Sequence, residues 1–253
     1  MERWIDINAD VGEVPEALAD GSEEKLIACI TSANIACGGH AGTPETMAAV
    51  MALADRYGVC IGAHPGYPDP AHFGREEMEL TSGEIEDTVA QQVRALLDIA
   101  ARHGYSVRHV KPHGALYNVA VREPRVARAI ATGLSTWRDE LLLVGLAGSA
   151  MLRLWQEEGF RVAAEAFADR RYEPDGTLRA RRHADALILD PDAAAAQAVE
   201  IAINRRVMSV SGSPVPVEAQ TLCVHGDTPN APAIAAAVRR ELEGRGFQLR
   251  AAG

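Results

Sequence analysis

The strongest constraint on the fold is a repeating unit. A short apolar run is followed by a cluster of polar residues and glycines, and then by a stretch with helical spacing. The runs are Trp4 to Asn8, Ala33 to Ala36, Val59 to Ala63, Val107 to Val110, Leu141 to Leu146, Val162 to Ala166 and Thr221 to Val224. Each is four to six residues long, the length of a strand buried on both faces of a parallel sheet. Helical patterns lie between most of them. Ser22 precedes Glu23 to Ile30. Thr43-Pro44-Glu45 reads as cap, first-turn proline and first-turn acid of a helix that stops at Gly58. Thr81 or Ser82 opens a long helix with Ile85, Val89, Val93, Leu96 and Leu97 on one stripe, ending near Gly104. Ser149 to Glu158, Asp192 to Arg205 and Ala231 to Leu242 complete the set.

Strand and helix in alternation imply parallel α/β architecture. Seven strands predict a TIM-barrel-like β/α barrel, one strand short of eight, formed as one domain by residues 1–253. A doubly wound open sheet is the alternative. Residues 167–183 and 207–219 read as irregular. The first carries the turn Pro174-Asp175-Gly176 and is expected to be a long loop over a strand end.

Charge narrows the function. Acidic side chains outnumber Lys and Arg by 35 to 25, a net charge of −10, with no basic run. Nucleic acid and anionic membrane are therefore poor partners. No apolar stretch reaches the ~18 residues of a membrane span, and the Met1-Glu2-Arg3-Trp4-Ile5-Asp6 start has no signal-peptide pattern, so a cytoplasmic location is expected. The four cysteines are scattered without a CxxC pair and are expected to be reduced, with Cys60 and Cys223 as core residues.

The polar clusters fall after the apolar runs and before the helices. They are Asn8-Ala9-Asp10-Val11-Gly12-Glu13, Cys37-Gly38-Gly39-His40-Ala41-Gly42, His64-Pro65-Gly66-Tyr67-Pro68, Lys111-Pro112-His113-Gly114, Glu165 with Phe167-Ala168-Asp169-Arg170, and His225-Gly226-Asp227. In a parallel barrel all of these belong to the C-terminal rim, so residues distant in sequence should meet in one pocket. Four of the eight histidines (His40, His64, His113, His225) stand in equivalent positions, and Lys111 is one of only two lysines. His72, His103, His109 and His183 lie outside the pattern and receive no role. There is no phosphate-binding GxxxxGK[ST] loop, GxGxxG, HExxH or GxSxG motif. Cys37, beside the Gly-Gly-His turn, reads as a small strand-end residue more readily than as a nucleophile.

In this order the clusters resemble the LamB/YcsF family, the A subunits of 5-oxoprolinase. The matching segments also include Ser32 to Gly42, Gly62 to Asp69, Phe73-Gly74-Arg75, Val110 to Asn118, Glu165 to Arg170 and Cys223 to Pro229, so the likeness runs from residue 5 to about 245. The chain departs from the family at Gly39, where Phe is usual, at Thr43, where Asp is usual, and in the stretch after Glu13.

The resemblance implies a barrel of the glycoside hydrolase/deacetylase type. It implies ATP-dependent opening of 5-oxo-L-proline to L-glutamate, with ATP cleaved to ADP and phosphate. Two further subunits, similar to the two halves of an allophanate hydrolase, would complete the enzyme, and ATP could bind chiefly on them. Homo-oligomers remain open.

On this reading the catalytic candidates are Asp10, Glu13, His64, Lys111, His113 and Glu165. Asp10, Glu13 or Glu165 would orient or deprotonate water, a contribution of about 10²–10⁴-fold. His113 or His64 would protonate the departing nitrogen. Lys111 and Arg170 would hold carboxylate or phosphoryl oxygens. Asn8, His40, Arg75, Asp169, Arg170, His225 and Asp227 are the substrate-binding candidates. Asp10, His40, His64 and His113 could alternatively hold Mg²⁺, Mn²⁺ or Zn²⁺. The rival classes are a metal-dependent amide or glycan deacetylase and a carrier subunit for a small acid.

Overall fold

The computed structural model describes residues 3–252. Strand β1 (Trp4–Val11) sets the pattern for the rest. Its odd residues, Ile5, Ile7, Ala9 and Val11, belong to the main apolar core beneath the helices. Asp6, Asn8 and Asp10 alternate with them and point into the barrel, as a period of two requires. Strands β2 (Ser32–Ala36), β3 (Cys60–His64), β4 (Val107–Val110), β5 (Leu142–Leu146) and β6 (Arg161–Phe167) follow, each parallel to its predecessor. A short antiparallel pair, β7 (Arg206–Met208) and β8 (Pro214–Pro216), comes next. Strand β9 (Thr221–His225) then pairs with both β6 and β1. That double pairing closes a seven-stranded parallel barrel and excludes the open doubly wound sheet. Strand β10 (Gln248–Leu249) adds to the start of β1.

Helices α1 (Pro15–Ala19), α2 (Ser22–Ile27), α3 (Pro44–Arg56), α4 (Ser82–His103), α5 (Gly114–Arg122), α6 (Pro124–Gly133), α7 (Ala150–Glu157), α8 (Pro191–Asn204) and α9 (Ala231–Gly244) fill the connections. Thr43 and Thr46 form a capping box at the start of α3, and Thr81 and Glu84 do the same for α4. Gly104 ends α4 in the left-handed region at φ 76°. Among the described residues no helix is long and apolar enough to cross a membrane.

Three features differ from the sequence expectations. Strand β1 runs to Val11, beyond the apolar run that ends at Asn8, so Asp10 is a strand residue rather than a loop residue. Helices α5 and α6 occupy the stretch between β4 and β5, to which the sequence reading assigns no helix. The segment 207–219 is not irregular throughout, because β7 and β8 form a hairpin there. The expected loop after β6 is present, tied down by isolated bridges from Arg170 to Leu187 and from Tyr172 to Leu178 and Ser209.

The barrel interior has an unusual content. It holds a small apolar cluster, Leu142, Val144 and Ala163, with Ala252 against it, and Leu146 and Phe167 beside the cavity. Most of the remaining filling is polar and buried: Asp6, Asn8, Asp10, Ser32, Asn34, His109, Lys111, Glu165 and Thr221. Buried polar groups are tolerated only when hydrogen-bonded, so this interior dictates a network.

Candidate active site

The network is built from strand register. Asn8 is level with Ser32 and Cys223, and Asp10 with Asn34 and His225. Asn8 Nδ2 donates to Glu165 Oε1 at 3.0 Å and to Thr221 Oγ1 at 2.7 Å. Asn34 Nδ2 donates to Asn8 Oδ1 at 2.7 Å and Asp10 Oδ1 at 2.8 Å, and Asn34 Oδ1 meets His109 Nε2 at 2.8 Å. Lys111 stands at the centre. Its Nζ lies 2.9 Å from Asp10 Oδ1, 2.8 Å from Glu165 Oε1 and 3.2 Å from Asn8 Oδ1. Burial opposes the ammonium charge, but Asp10 and Glu165 hold its pKa well above the ordinary value. Burial likewise works against the Asp10 carboxylate, and His64 and Lys111 overcome it, holding Asp10 well below the usual range.

Above this floor sits a tight cluster of imidazoles around Glu13. His40 Nε2 is 2.8 Å and His113 Nδ1 3.0 Å from Glu13 Oε1. His64 Nε2 is 3.0 Å from His113 Nδ1, 3.7 Å from Glu13 Oε1 and 3.4 Å from Asp10 Oδ2. The rings of His40 and His113 stack with centroids 3.5 Å apart. The outer nitrogens are anchored on backbone: His64 Nδ1 lies 2.7 Å from the Lys111 carbonyl and His113 Nε2 2.8 Å from the Phe73 carbonyl. Burial drives the His40 pKa down to about 4, so its ring is neutral near pH 7. Burial disfavours the Glu13 charge, yet hydrogen bonds from His113 and His40 lower its pKa.

A cavity of about 530 Å³ covers the cluster, within the range of small-molecule sites. Asp10, Glu13, His64, Lys111 and His113 form its floor. Arg75, Arg181, His225 and Asp227, which are partly exposed, line it nearer the mouth, and the buried Arg170 also lines it. Asp227 pairs with Arg75 and, at 3.1 Å, with Arg181. Arg170 is buried, with its Nε unpartnered, and burial together with Arg181 lowers its pKa to about 10.

The structure thus brings nearly all the sequence candidates together but in two layers. Asn8, His40, Glu165 and Asp169 do not line the cavity. Asn8 and Glu165 lie beneath it as partners of Lys111, and His40 backs Glu13 and His113. Asp169 sits behind His225, accepting from its backbone N–H at 3.0 Å and contacting its Nδ1 at 3.0 Å. Cys223 is not simply core, because its Sγ faces Lys111 Nζ at 3.1 Å. Cys37 is buried, with its thiol pushed up to about 12 by burial, which is the opposite of nucleophile activation. All four cysteines are free thiols.

Several residues of the site carry no local signal in the sequence. His109, Asn34 and Arg181 have their roles fixed by cross-barrel partners that no short motif announces. Tyr117, on α5, places a buried hydroxyl without a hydrogen-bond partner at the cavity wall. Gln92 on α4 clamps Gly66, accepting from its N–H at 3.0 Å and donating to its carbonyl at 2.7 Å. The same amide fills the space over Gly39, where a Cβ would stand 2.3 Å from Gln92 Oε1. Gly39 is therefore matched to Gln92, and Thr43 serves as the cap of α3 rather than as a rim group.

Comparison with known proteins agrees with this architecture. The LamB/YcsF family profile matches residues 5–253. The chain is 50% identical over 246 residues to the 5-oxoprolinase A subunit of Chloroflexus aggregans, covering 97% of this chain and 98% of that protein. It is 46% identical over 253 residues to the 5-oxoprolinase A subunit of Methylococcus capsulatus, covering 100% and 97%. The crystal structure of a lactam utilization protein from Thermus thermophilus superposes with a TM-score of 0.90 at 41% identity, covering 98% of this chain and 99% of that one. A closed seven-stranded barrel with this rim, matched over its whole length by that profile, places the chain in the LamB/YcsF family.

Proposed function

We propose that the chain is the A subunit of a 5-oxoprolinase, which opens the lactam ring of 5-oxo-L-proline to give L-glutamate at the cost of ATP. The observation that carries this reading is the cavity itself. Carboxylates and imidazoles lie at its floor and guanidinium groups at its mouth, in a chain half identical to proteins named for that activity.

An unactivated lactam is a poor electrophile, which gives ATP its task. Transfer of the terminal phosphoryl group to the lactam oxygen, with ADP leaving, makes C5 electrophilic. Water then adds to C5. The C5–N bond breaks as the ring nitrogen takes a proton, giving a γ-glutamyl phosphate. A second water releases phosphate and glutamate. One lactam, one ATP and two waters thus become glutamate, ADP and phosphate.

The floor carboxylates Asp10 and Glu13 are the groups placed to take the proton from water and hand it to the departing nitrogen. The Lys111 ammonium hydrogens are already engaged by Asp10, Glu165 and Asn8, so its part is to hold those groups in place. Arg170, with an open N–H, and Arg181 are better placed for the carboxylate or phosphoryl oxygens. Partner subunits, similar to the halves of an allophanate hydrolase, would supply the rest of the ATP site.

The test is a coupled assay of glutamate formation with the chain alone and with its two partner subunits. Turnover should require ATP and all three chains, and Asp10→Asn should abolish it. A complete, folded assembly that releases no glutamate from 5-oxoproline and ATP defeats the proposal, as does ATP-independent hydrolysis of N-acetylated substrates by this chain alone.

A further inference from the structure

Three atoms able to accept a hydrogen bond or bind a cation converge above the barrel floor. A carbonyl oxygen only accepts, so the nitrogen facing it must carry the hydrogen. His64 Nδ1 faces the Lys111 carbonyl at 2.7 Å, so Nε2 is the nitrogen that can give up its proton and offer a lone pair. His113 Nε2 faces the Phe73 carbonyl at 2.8 Å, so Nδ1 is the nitrogen that can offer a lone pair. Those two nitrogens are 3.0 Å apart. Glu13 Oε1, a third acceptor, lies 3.0 Å from one and 3.7 Å from the other. Such a convergence is repulsive unless a proton or a metal cation sits in it.

We infer that Glu13, His64 and His113 form a binding site for a divalent transition metal of the zinc class. Two imidazoles and one carboxylate suit zinc, cobalt or iron far better than magnesium, which prefers oxygen ligands. The surroundings have the form expected of a metal site. Each ligand ring donates its other N–H to a backbone carbonyl, which fixes tautomer and orientation. His40 donates to Glu13 at 2.8 Å and stacks on His113, so it orients two ligands without being one. The ligand atoms of Glu13, His40, His64 and His113 all lie within 4.8 Å of one another. This assignment puts Glu13 into the metal set and takes Asp10 and His40 out of it.

A second group, Asp10, Cys223 and His225, is comparably compact. There the Lys111 ammonium already supplies the positive charge, 2.9 Å from Asp10 and 3.1 Å from Cys223. The proposed site is free of that competitor and opens on the cavity. Its ion would supply one thing the floor lacks, acidification of nearby water to a pKa of about 7. The inference deepens the lactam-opening proposal by leaving Asp10 as the carboxylate available to water, but its test is independent of turnover.

The full chain, stripped with chelator and dialysed, is titrated with Co²⁺ while the visible d–d bands are followed, and Zn²⁺ is then added. One cobalt per chain, displaced by zinc and not by millimolar magnesium, is expected. His64→Ala and His113→Ala should abolish the bands. Glu13→Gln, which preserves shape and hydrogen bonding, should weaken binding at least as much as His40→Ala, which should weaken it roughly ten- to hundred-fold. Zinc should also raise the melting temperature of the parent chain and not that of Glu13→Gln. A folded, stripped chain that takes up neither cobalt nor zinc at millimolar concentration overturns the site and would assign the gap to a shared proton. Uptake unchanged in Glu13→Gln and His113→Ala overturns it equally. Neither result bears on glutamate formation, which the coupled assay reads separately.

Discussion

Replacing Lys111 by Met isolates the physics of the barrel floor. Lys111, Asp10 and Glu165 are almost fully buried, at 2%, 5% and 0% exposure. The ammonium lies 2.9 Å from one carboxylate and 2.8 Å from the other. At an effective dielectric of about 20, each contact is worth about 6 kcal/mol of Coulomb attraction, most of it offset by desolvation. Removing the cation keeps the desolvation cost and deletes the attraction. Breaking one partner of a buried pair typically costs about 3–5 kcal/mol, which for a chain of this size is a fall in Tm of roughly 6–20 °C.

The loss should depend on pH. In the parent chain Asp10 is held below its ordinary 3.8, so its contribution is complete above that pH and is lost as pH falls further. In Lys111→Met the burial that opposes the Asp10 charge remains without the ammonium, and Asp10 titrates higher than in the parent. The variant's native state then binds more protons than the parent's, and its deficit grows as pH rises from about 4 to 7. Urea unfolding followed by circular dichroism across that range measures both effects. A deficit under about 1 kcal/mol, or one that does not change with pH, would refute the account, since the typical cost is several times larger. Adding Glu165→Gln should recover part of the loss by removing one stranded charge.

Two further outcomes follow from the same interior. Burial raises Asp6 to about 6 from 3.8, so the native state loses stability as pH rises between those values, by about 3 kcal/mol in all; Asp6→Asn should flatten that slope in urea midpoints, and a slope identical to the parent would show that Asp6 is not its source. Gly62 abuts the His109 ring, with a Cβ placed 2.1 Å from Nε2, so Gly62→Ala should cost about 1–3 kcal/mol through overpacking, read as a lower urea midpoint with unchanged slope; an unchanged midpoint would mean that the ring swings aside freely.

The seven barrel strands were legible because each is a short apolar run, and their shared rim was legible because polar residues follow each run. What the sequence hid was the polar interior. Asp10 looked like a loop residue, since polar side chains ordinarily end a buried strand; here it continues the strand, satisfied by Asn34 and Lys111 from elsewhere in the barrel. Helix α5 escaped notice because its start at His113 has no side-chain cap and Ala115, Leu116, Tyr117, Val119 and Ala120 are all buried, leaving no clean stripe. The β7–β8 hairpin was masked by Pro214 and Pro216, which are tolerated on an edge strand. The histidine cluster was foreseen as a meeting of rim residues, but its tautomers depend on the carbonyls of Lys111 and Phe73, and no residue pattern encodes where a carbonyl points.

The two layers of the cavity are attached to the molecule differently. Asp10, His64 and the groups under them are rooted in strands whose positions the closed barrel fixes, whereas Arg170 and Arg181 ride on the long connection between β6 and α8. Exchanging that connection for another of similar span should retune which acid is admitted while leaving the reactive floor untouched, a modularity that makes the segment from Ala168 to Leu189 the natural place to begin redesigning ligand choice.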